Sequence, residues 1–124
     1  MSKQNIYMAM GSLAYAVAKA DGQIHPEEKD TIKKIAQEVL FSEDLSNDYI
    51  DRMFEKMETA KISVNDAYDY AIDVLEANKY EFDFYDSIKQ KCLRFMELIA
   101  NAFQGTSSSE LNLINRFKQD IEKY

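Results

Sequence analysis

The stretch Ala16-Val-Ala-Lys-Ala-Asp-Gly-Gln-Ile-His-Pro-Glu-Glu28 decides the fold, because a fainter copy of it returns near the C-terminus. An offset of 82 residues aligns 6–39 with 88–121 and places apolar residues on apolar residues. The identical pairs are Ile6/Ile88, Ala18/Ala100, Ala20/Ala102, Glu28/Glu110, Ile32/Ile114 and Gln37/Gln119, and the apolar pairs are Met10/Cys92, Leu13/Phe95, Val17/Ile99, Ile35/Phe117 and Val39/Ile121. A repeated helix–loop–helix predicts a pseudo-twofold helical domain with its loop as the place for chemistry.

Apolar residues recur at helical spacing along the whole chain, which predicts an all-α fold with no strand. We expect a single domain over residues 1–124, a bundle of six to seven helices in which the first and fifth helices pack centrally. The predicted helices are about 4–20, 26–41, 47–59, 64–78, 85–103 and 108–123. The segment 80–86 alternates aromatic and acidic residues. We interpret it as a loop whose aromatics fold over the core, with a sticky surface for a partner as the alternative.

The formal net charge of −7, with 15 basic residues scattered among 22 acidic ones, argues against nucleic acid as a partner. An acidic balance suits a divalent metal, a basic protein partner or an ordinary soluble protein. The single cysteine, Cys92, aligns with Met10 and is expected to be a buried hydrophobe. We see neither a signal peptide nor a membrane span, and we expect a cytoplasmic protein.

The loop after the first helix matches only half of a calcium-binding EF-hand. Asp21-Gly22 and Glu28 fit its turn and its final bidentate glutamate. The positions of the first two carboxylates hold Val17 and Lys19, which belong to a helix. Half a loop cannot supply the six to eight oxygens that Ca²⁺ takes, so an ordinary EF-hand is excluded.

The string from Ala18 to Glu28, followed by the helix 30–40, resembles the signature of the TerB-like family. These are small bacterial helical proteins named for tellurite resistance, with related domains at the N-terminus of DjlA-type co-chaperones. The resemblance covers nearly the whole chain, and it implies an all-α fold, a cytoplasmic location and a stress-response role with metal chelation by acidic residues. The acidic candidates in the first copy are Asp21, Glu27 and Glu28. The second copy keeps Glu110 but has Phe103-Gln104 in place of the Asp-Gly pair, so half of a symmetric acidic site is missing.

The two aligned glutamates also fit a purely structural role. If His25 is the N-cap and Pro26 the first helical residue, Glu28 is the third residue, from which a carboxylate reaches back to the N-cap N–H. Ser107 and Glu110 form the same capping box in the second copy. His25, the only histidine, is expected to be a cap or surface residue, because zinc would find few other nitrogen or sulfur ligands here.

No nucleophile–base set or phosphate-binding loop stands out, so we expect a protein that is not an enzyme. Two hypotheses remain for its function. One is weak binding of a divalent metal at Asp21, assisted by Glu27 and Glu28. Asp21 follows the predicted C-terminus of the first helix, where the helix dipole disfavours a carboxylate, so its charge favours a functional role. The other is a scaffold whose acidic surface binds a protein partner or a second copy of the chain, without metal.

Overall fold

The computed structural model describes the backbone of residues 2–20, 24, 26–40, 44–78, 85–102 and 108–123. Side chains are described for 5–20, 24, 27–35, 49–78, 88–102 and 108–122. The described part of the chain is helical apart from short connections. None of its helices is long and apolar enough to cross a membrane.

The helices follow the boundaries that the sequence predicts, with small differences at their ends. They are α1 (Ser2–Ala20), α2 (Pro26–Leu40), α3 (Asp44–Ala60), α4 (Val64–Asn78), α5 (Tyr85–Ala102) and α6 (Ser108–Lys123). α3 begins three residues earlier than the predicted 47, at Asp44. The all-α fold class is confirmed, as a single helical bundle. The predicted loop at 80–86 lies outside the described residues except where α5 begins.

The repeat is visible in the helix boundaries themselves. α1 ends at Ala20 and α5 at Ala102, while α2 begins at Pro26 and α6 at Ser108, so both pairs keep the 82-residue offset. Burial follows the same register. The aligned pairs buried in both copies are Met10/Cys92, Leu13/Phe95, Val17/Ile99, Ala18/Ala100, Glu28/Glu110, Ile32/Ile114 and Ile35/Phe117.

The two copies exchange partners across the bundle. α1 packs on α6 and α2 packs on α5, so each copy places its first helix against the second helix of the other. α1 and α5 also contact each other. The α1–α6 and α2–α5 contacts are those expected of a pseudo-twofold domain, whereas in the described residues the contact between α5 and α6 has no counterpart of similar extent between α1 and α2.

The α3–α4 insert packs mainly on α1, and this changes the role of α1. Every residue from Ala9 to Ala18 is buried, because α3 and α4 pack on α1 in addition to α5 and α6. Both hydroxyls in this stretch donate to carbonyl oxygens, Ser12 to that of Ala67 at 2.5 Å and Tyr15 to that of Ile62 at 2.6 Å. α5 instead exposes Gln90 and Arg94. Of the two helices predicted to be central, α1 is covered all round and α5 keeps a solvent-facing side.

Gly11 lets α3 approach the backbone of α1. A Cβ atom at this position would lie 2.5 Å from the carbonyl oxygen of Ile50 and 2.9 Å from the Cβ of Met53. Nearby, the rings of Tyr15 and Phe54 meet edge to face at 5.8 Å. A glycine in the helix interior lowers helix propensity, and here the close helix–helix contact offsets that cost.

The turn between α3 and α4 closes α3 without a glycine. Lys61 adopts a φ of 54°, its N–H donates to the Glu58 carbonyl, and the Ile62 N–H donates to the Met57 carbonyl. These two bonds form a Schellman motif, in which glycine usually occupies the left-handed position. α4 then begins as the sequence predicts, since the Asp66 N–H donates to the Ser63 hydroxyl oxygen at 3.1 Å.

Candidate functional site

The sequence-predicted metal ligands are only partly within the described residues. Asp21 and His25 lie outside them, and so do Phe103, Gln104 and Ser107 of the second copy. Glu27 is exposed in the first turn of α2. Glu28 follows it but is only 7% exposed. The two glutamates therefore point into different environments, and the metal site at Asp21 stays a prediction.

Glu28 and its repeat mate Glu110 share one structural position. Each is the third residue of its helix, and Glu110 is 5% exposed. Neither side chain is without a polar partner. A carboxylate in the first turn also lies at the positive end of the helix dipole. The predicted placement in the first turns is thus confirmed, and burial in both copies is the pattern expected of a helix-initiation role.

Within the described residues, no group of three or more His, Cys, Asp or Glu side chains is arranged to hold a metal ion. Cys92, the single cysteine of the chain, is fully buried. Burial raises the pKa of its thiol to about 12, because the thiolate would lose its hydration. A thiol in this state is a core hydrophobe, as its alignment with Met10 predicts.

A stripe of carboxylates on α4, called the acidic stripe, is formed by Asp66, Asp69, Asp73 and Glu76. Their spacing of three, four and three residues places all of them on one side of the helix, and all four are exposed. The opposite side of α4 is buried, through residues that include Ala71 and Leu75.

One base neutralises part of this acidic stripe. The Arg116 guanidinium on α6 approaches Asp69 at 3.2 Å and also donates to the Asn65 side-chain oxygen at 3.3 Å. Within the residues whose side chains are described, no other base pairs with the stripe. Asp73 and Glu76 also lie toward the C-terminal end of α4, where the dipole disfavours negative charge and no basic residue occupies the last turn. A carboxylate in the last turn, such as that of Glu76, is therefore electrostatically unfavourable for the helix.

A polar clamp beside the acidic stripe joins α4 to α6. The Tyr68 hydroxyl donates to an Asp120 carboxylate oxygen at 2.5 Å, and Arg116 lies 4.3 Å from the centre of the Tyr68 ring. The Tyr68 ring also meets Phe117 edge to face at 6.4 Å. Burial, together with the bond to Asp120, raises the pKa of the Tyr68 hydroxyl well above its ordinary value. The hydroxyl is therefore a fixed donor that holds α4 against α6.

Sequence reasoning missed both of these features. The acidic stripe had a visible signal, since carboxylates at three- and four-residue spacing opposite an apolar face mark one side of a helix. The clamp had none, because Tyr68 and Asp120 are 52 residues apart and only the packing of α4 on α6 brings them together.

The repeated helix–loop–helix, the two helices inserted between its copies and the buried glutamates in the first turns of α2 and α6 define a small all-α repeat domain. The family model described as tellurite resistance protein TerB matches residues 7–122, nearly the whole chain. The chain belongs to the TerB family, as the Asp-Gly loop and the helix after it suggest. No curated protein and no solved structure matches the chain in the other two comparisons.

Proposed function

We propose that this TerB-family domain is a non-enzymatic interaction module that binds a positively charged partner through the acidic stripe of α4. The observation that carries the proposal is the accumulation of four carboxylates on one side of α4, where their negative charge lowers the stability of the helix. Neighbouring carboxylates at three- and four-residue spacing repel each other, and Asp73 and Glu76 also oppose the helix dipole. Charge of one sign gathered on one surface favours the encounter with a partner of the opposite sign.

The roles of the candidate reactive groups support a protein that is not an enzyme. The Cys92 thiol is buried with a raised pKa, and the Ser12 hydroxyl is used by the Ala67 carbonyl. The Tyr68 hydroxyl is used by Asp120. Each of these groups holds the bundle together. The cytoplasmic location and the stress-response role stay predictions from the sequence and the family resemblance.

The test is a titration of the 15N-labelled protein with decalysine, followed by amide shifts. We expect shifts centred on α4, weakened by salt as screening predicts. The variant Asp73→Asn/Glu76→Gln should bind about tenfold more weakly, because it loses two of the four charges of the stripe. The matched control Asp30→Asn/Glu55→Gln removes two exposed carboxylates on α2 and α3 and should bind as the native protein does. Equal loss in both variants would show attraction to net charge alone and overturn the proposal.

A second candidate function is weak binding of a divalent metal at Asp21, with Glu27 and Glu28 assisting. It is favoured by the exposed position of Glu27 at the start of α2, next to the Asp-Gly loop. It is weakened by Glu28, which is buried and has a polar partner. Hard cations take oxygen ligands, so the carboxylates of Asp21 and Glu27 alone would leave most of the coordination shell to water and backbone oxygens.

The metal hypothesis has a separate test. The protein is titrated with Ca²⁺, Mg²⁺, Mn²⁺ and Zn²⁺, and the titration is repeated on Asp21→Asn. Saturable changes confined to residues 19–30 and lost in the variant would support the site, and the metal would stabilise the fold as its concentration rises. No change at millimolar metal would reject it. Neither result depends on α4, so the two hypotheses are tested independently.

A further inference from the structure

α3 shows what kind of ligand one face of the repeat accepts. It lies against α1 at Gly11 and against α2 through two ion pairs, Lys29–Glu58 at 2.6 Å and Lys33–Asp51 at 3.5 Å. The hydrogen bond to Glu58 raises the pKa of the Lys29 ammonium. The face formed by α1 and α2 therefore binds an amphipathic helix by its apolar side, with lysines that pair with acidic residues along its edge.

The second copy presents the equivalent face without a helix over it in the described part of the chain. The 82-residue offset places Leu93 where α1 has Gly11, and Leu111 and Asn115 where α2 has Lys29 and Lys33. Leu111 is 49% exposed, the only large apolar side chain so exposed among the described residues. Between α5 and α6 there is a cavity of about 300 Å³, lined by Lys89, Gln90, Leu93, Lys118, Ile121 and Glu122.

The side chains along this cavity are mixed: Leu93 and Ile121 are apolar, Lys89 and Lys118 are basic, and Gln90 and Glu122 complete the lining. The Lys89 ammonium on α5 donates to the Ile121 carbonyl oxygen of α6 at 2.9 Å. Leu111 lies on the same side of α6 as Lys118, two turns toward the N-terminus, because seven residues are close to two helical turns. Lys118 is the exposed base of this groove.

We propose that the groove between α5 and α6 binds an acidic amphipathic helix of a partner protein. The partner would contact Leu93 and Leu111 with its apolar side and pair an acidic residue with the exposed Lys118, as α3 does with the lysines of α2. A leucine in place of Gly11 keeps the incoming helix farther from the backbone of α5, within the ordinary range for helix packing. α5 and α6 contact each other, so the partner lies on the groove rather than between the helices. This surface is distinct from the acidic stripe of α4.

The charge on the chain favours a partner protein over a second copy. Two copies of the chain repel each other, because each carries a net charge of −7. The helix of this chain that would fit such a groove is α3, which is acidic and amphipathic, and it is already packed on α1 and α2. A second copy is therefore an outcome for the experiment to detect, through the oligomeric state.

The experiment titrates the 15N-labelled protein with a peptide of the α3 sequence, residues 44–60, and with a scrambled peptide of the same composition. The α3 peptide should shift amides in 89–93 and 111–122, and the scrambled peptide should not, because scrambling removes the apolar side. Lys118→Glu and Leu111→Ser change exposed side chains and should each weaken binding about tenfold or more. The matched control Lys34→Glu changes an exposed lysine of α2 and should leave binding unchanged.

Three results would overturn the proposal. One is equal binding of the scrambled peptide or of Lys118→Glu. Another is a concentration-dependent dimer, detected by light scattering, in which the amides of 89–93 and 111–122 are protected from hydrogen exchange and the peptide does not bind. This result would assign the groove to a second copy of the chain. The third is peptide binding that appears only after Phe82→Ser/Phe84→Ser, which would assign the groove to segment 79–84 of this chain.

Discussion

Glu28 and Glu110 occupy the same position in two helices of this bundle, each as the third residue, 82 residues apart and buried. Buried carboxylates are costly unless they are paired, so a position filled this way twice has a structural use. The start of a helix offers that use, because its first N–H groups lack intrahelical partners and its dipole is positive there.

Replacing either glutamate by alanine should destabilise the protein by about 0.5–2 kcal/mol, the range measured for the loss of helix caps. Glutamine should retain most of the stability, since its side-chain oxygen still accepts a hydrogen bond. Urea denaturation of Glu28→Ala and Glu110→Ala measures the loss. The neighbouring Glu27→Ala, which removes an exposed carboxylate from the same turn, is the control and should change stability little. Equal effects of Glu27→Ala and Glu28→Ala would contradict a role specific to the third position.

Gly11→Ala should destabilise the protein by about 1–3 kcal/mol, although alanine is the better helix former. The added methyl group would lie 2.5 Å from the Ile50 carbonyl oxygen, and backbone cannot move aside as a flexible side chain can. α1 and α3 must therefore separate. Thermal and urea denaturation give the loss, and amide shifts should concentrate on α3. A variant as stable as the native protein would mean that the two helices do not approach this closely.

Lys61→Gly should stabilise the protein by about 0.5–1 kcal/mol. The φ of 54° at Lys61 is unfavourable for a residue with a Cβ, and glycine adopts it without that penalty. The adjacent Ala60→Gly is the control, because Ala60 is the last residue of α3 and has no positive φ. It should destabilise the protein. Chemical denaturation of the two variants, expected to differ in sign, checks the geometry of the turn.

The variants at the two glutamates, at Gly11 and at Lys61 separate the structural features that the sequence predicts from those that it does not. The helix boundaries and the first-turn positions of Glu28 and Glu110 could be predicted, because each depends on residues within a few turns of one another. The repeat could be predicted from the apolar pattern that recurs at an offset of 82 residues. The close approach at Gly11 and the left-handed Lys61 could not. The first depends on which helix faces Gly11, and the second on a turn in which a lysine stands where glycine is usual.

Alkaline pH should test the clamp between Tyr68 and Asp120. The pKa of the Tyr68 hydroxyl in the folded protein is raised above the unfolded value of about 10. The bond to Asp120 therefore contributes its full stability below about pH 10, and this contribution is lost as the pH rises further. Tyr68→Phe should cost about 1–2 kcal/mol at neutral pH, because the Asp120 carboxylate loses a hydrogen-bond donor. Between about pH 10 and the folded pKa the difference between the two proteins should shrink.

The measurement is urea denaturation at several pH values, with 13C NMR of the tyrosine rings to follow each titration. Tyr70→Phe is the control. Burial raises the pKa of Tyr70 too, but no bond to a carboxylate contributes to that shift. Tyr68 should titrate later than Tyr70. A Tyr68 that titrates at its ordinary pKa would show that the clamp is open in solution.

The acidic stripe of α4 should cost the protein stability, as a surface kept for binding often does. Asp73→Asn/Glu76→Gln should stabilise the domain by about 0.3–1 kcal/mol at low salt, since it removes like-charge repulsion and an unfavourable interaction with the helix dipole. The gain should fall as salt screens both effects.

The same variant weakens the proposed binding of decalysine, so one pair of substitutions should raise stability and lower affinity together. Asp66→Asn separates the two effects. Asp66 belongs to the stripe but lies in the first turn of α4, where the dipole favours its charge, so its loss should reduce binding and also destabilise the helix. Urea denaturation at low and high salt gives the stability of each variant. If Asp73→Asn/Glu76→Gln and Asp66→Asn change stability in the same direction, the dipole argument fails, and with it the reason to regard the stripe as a functional surface.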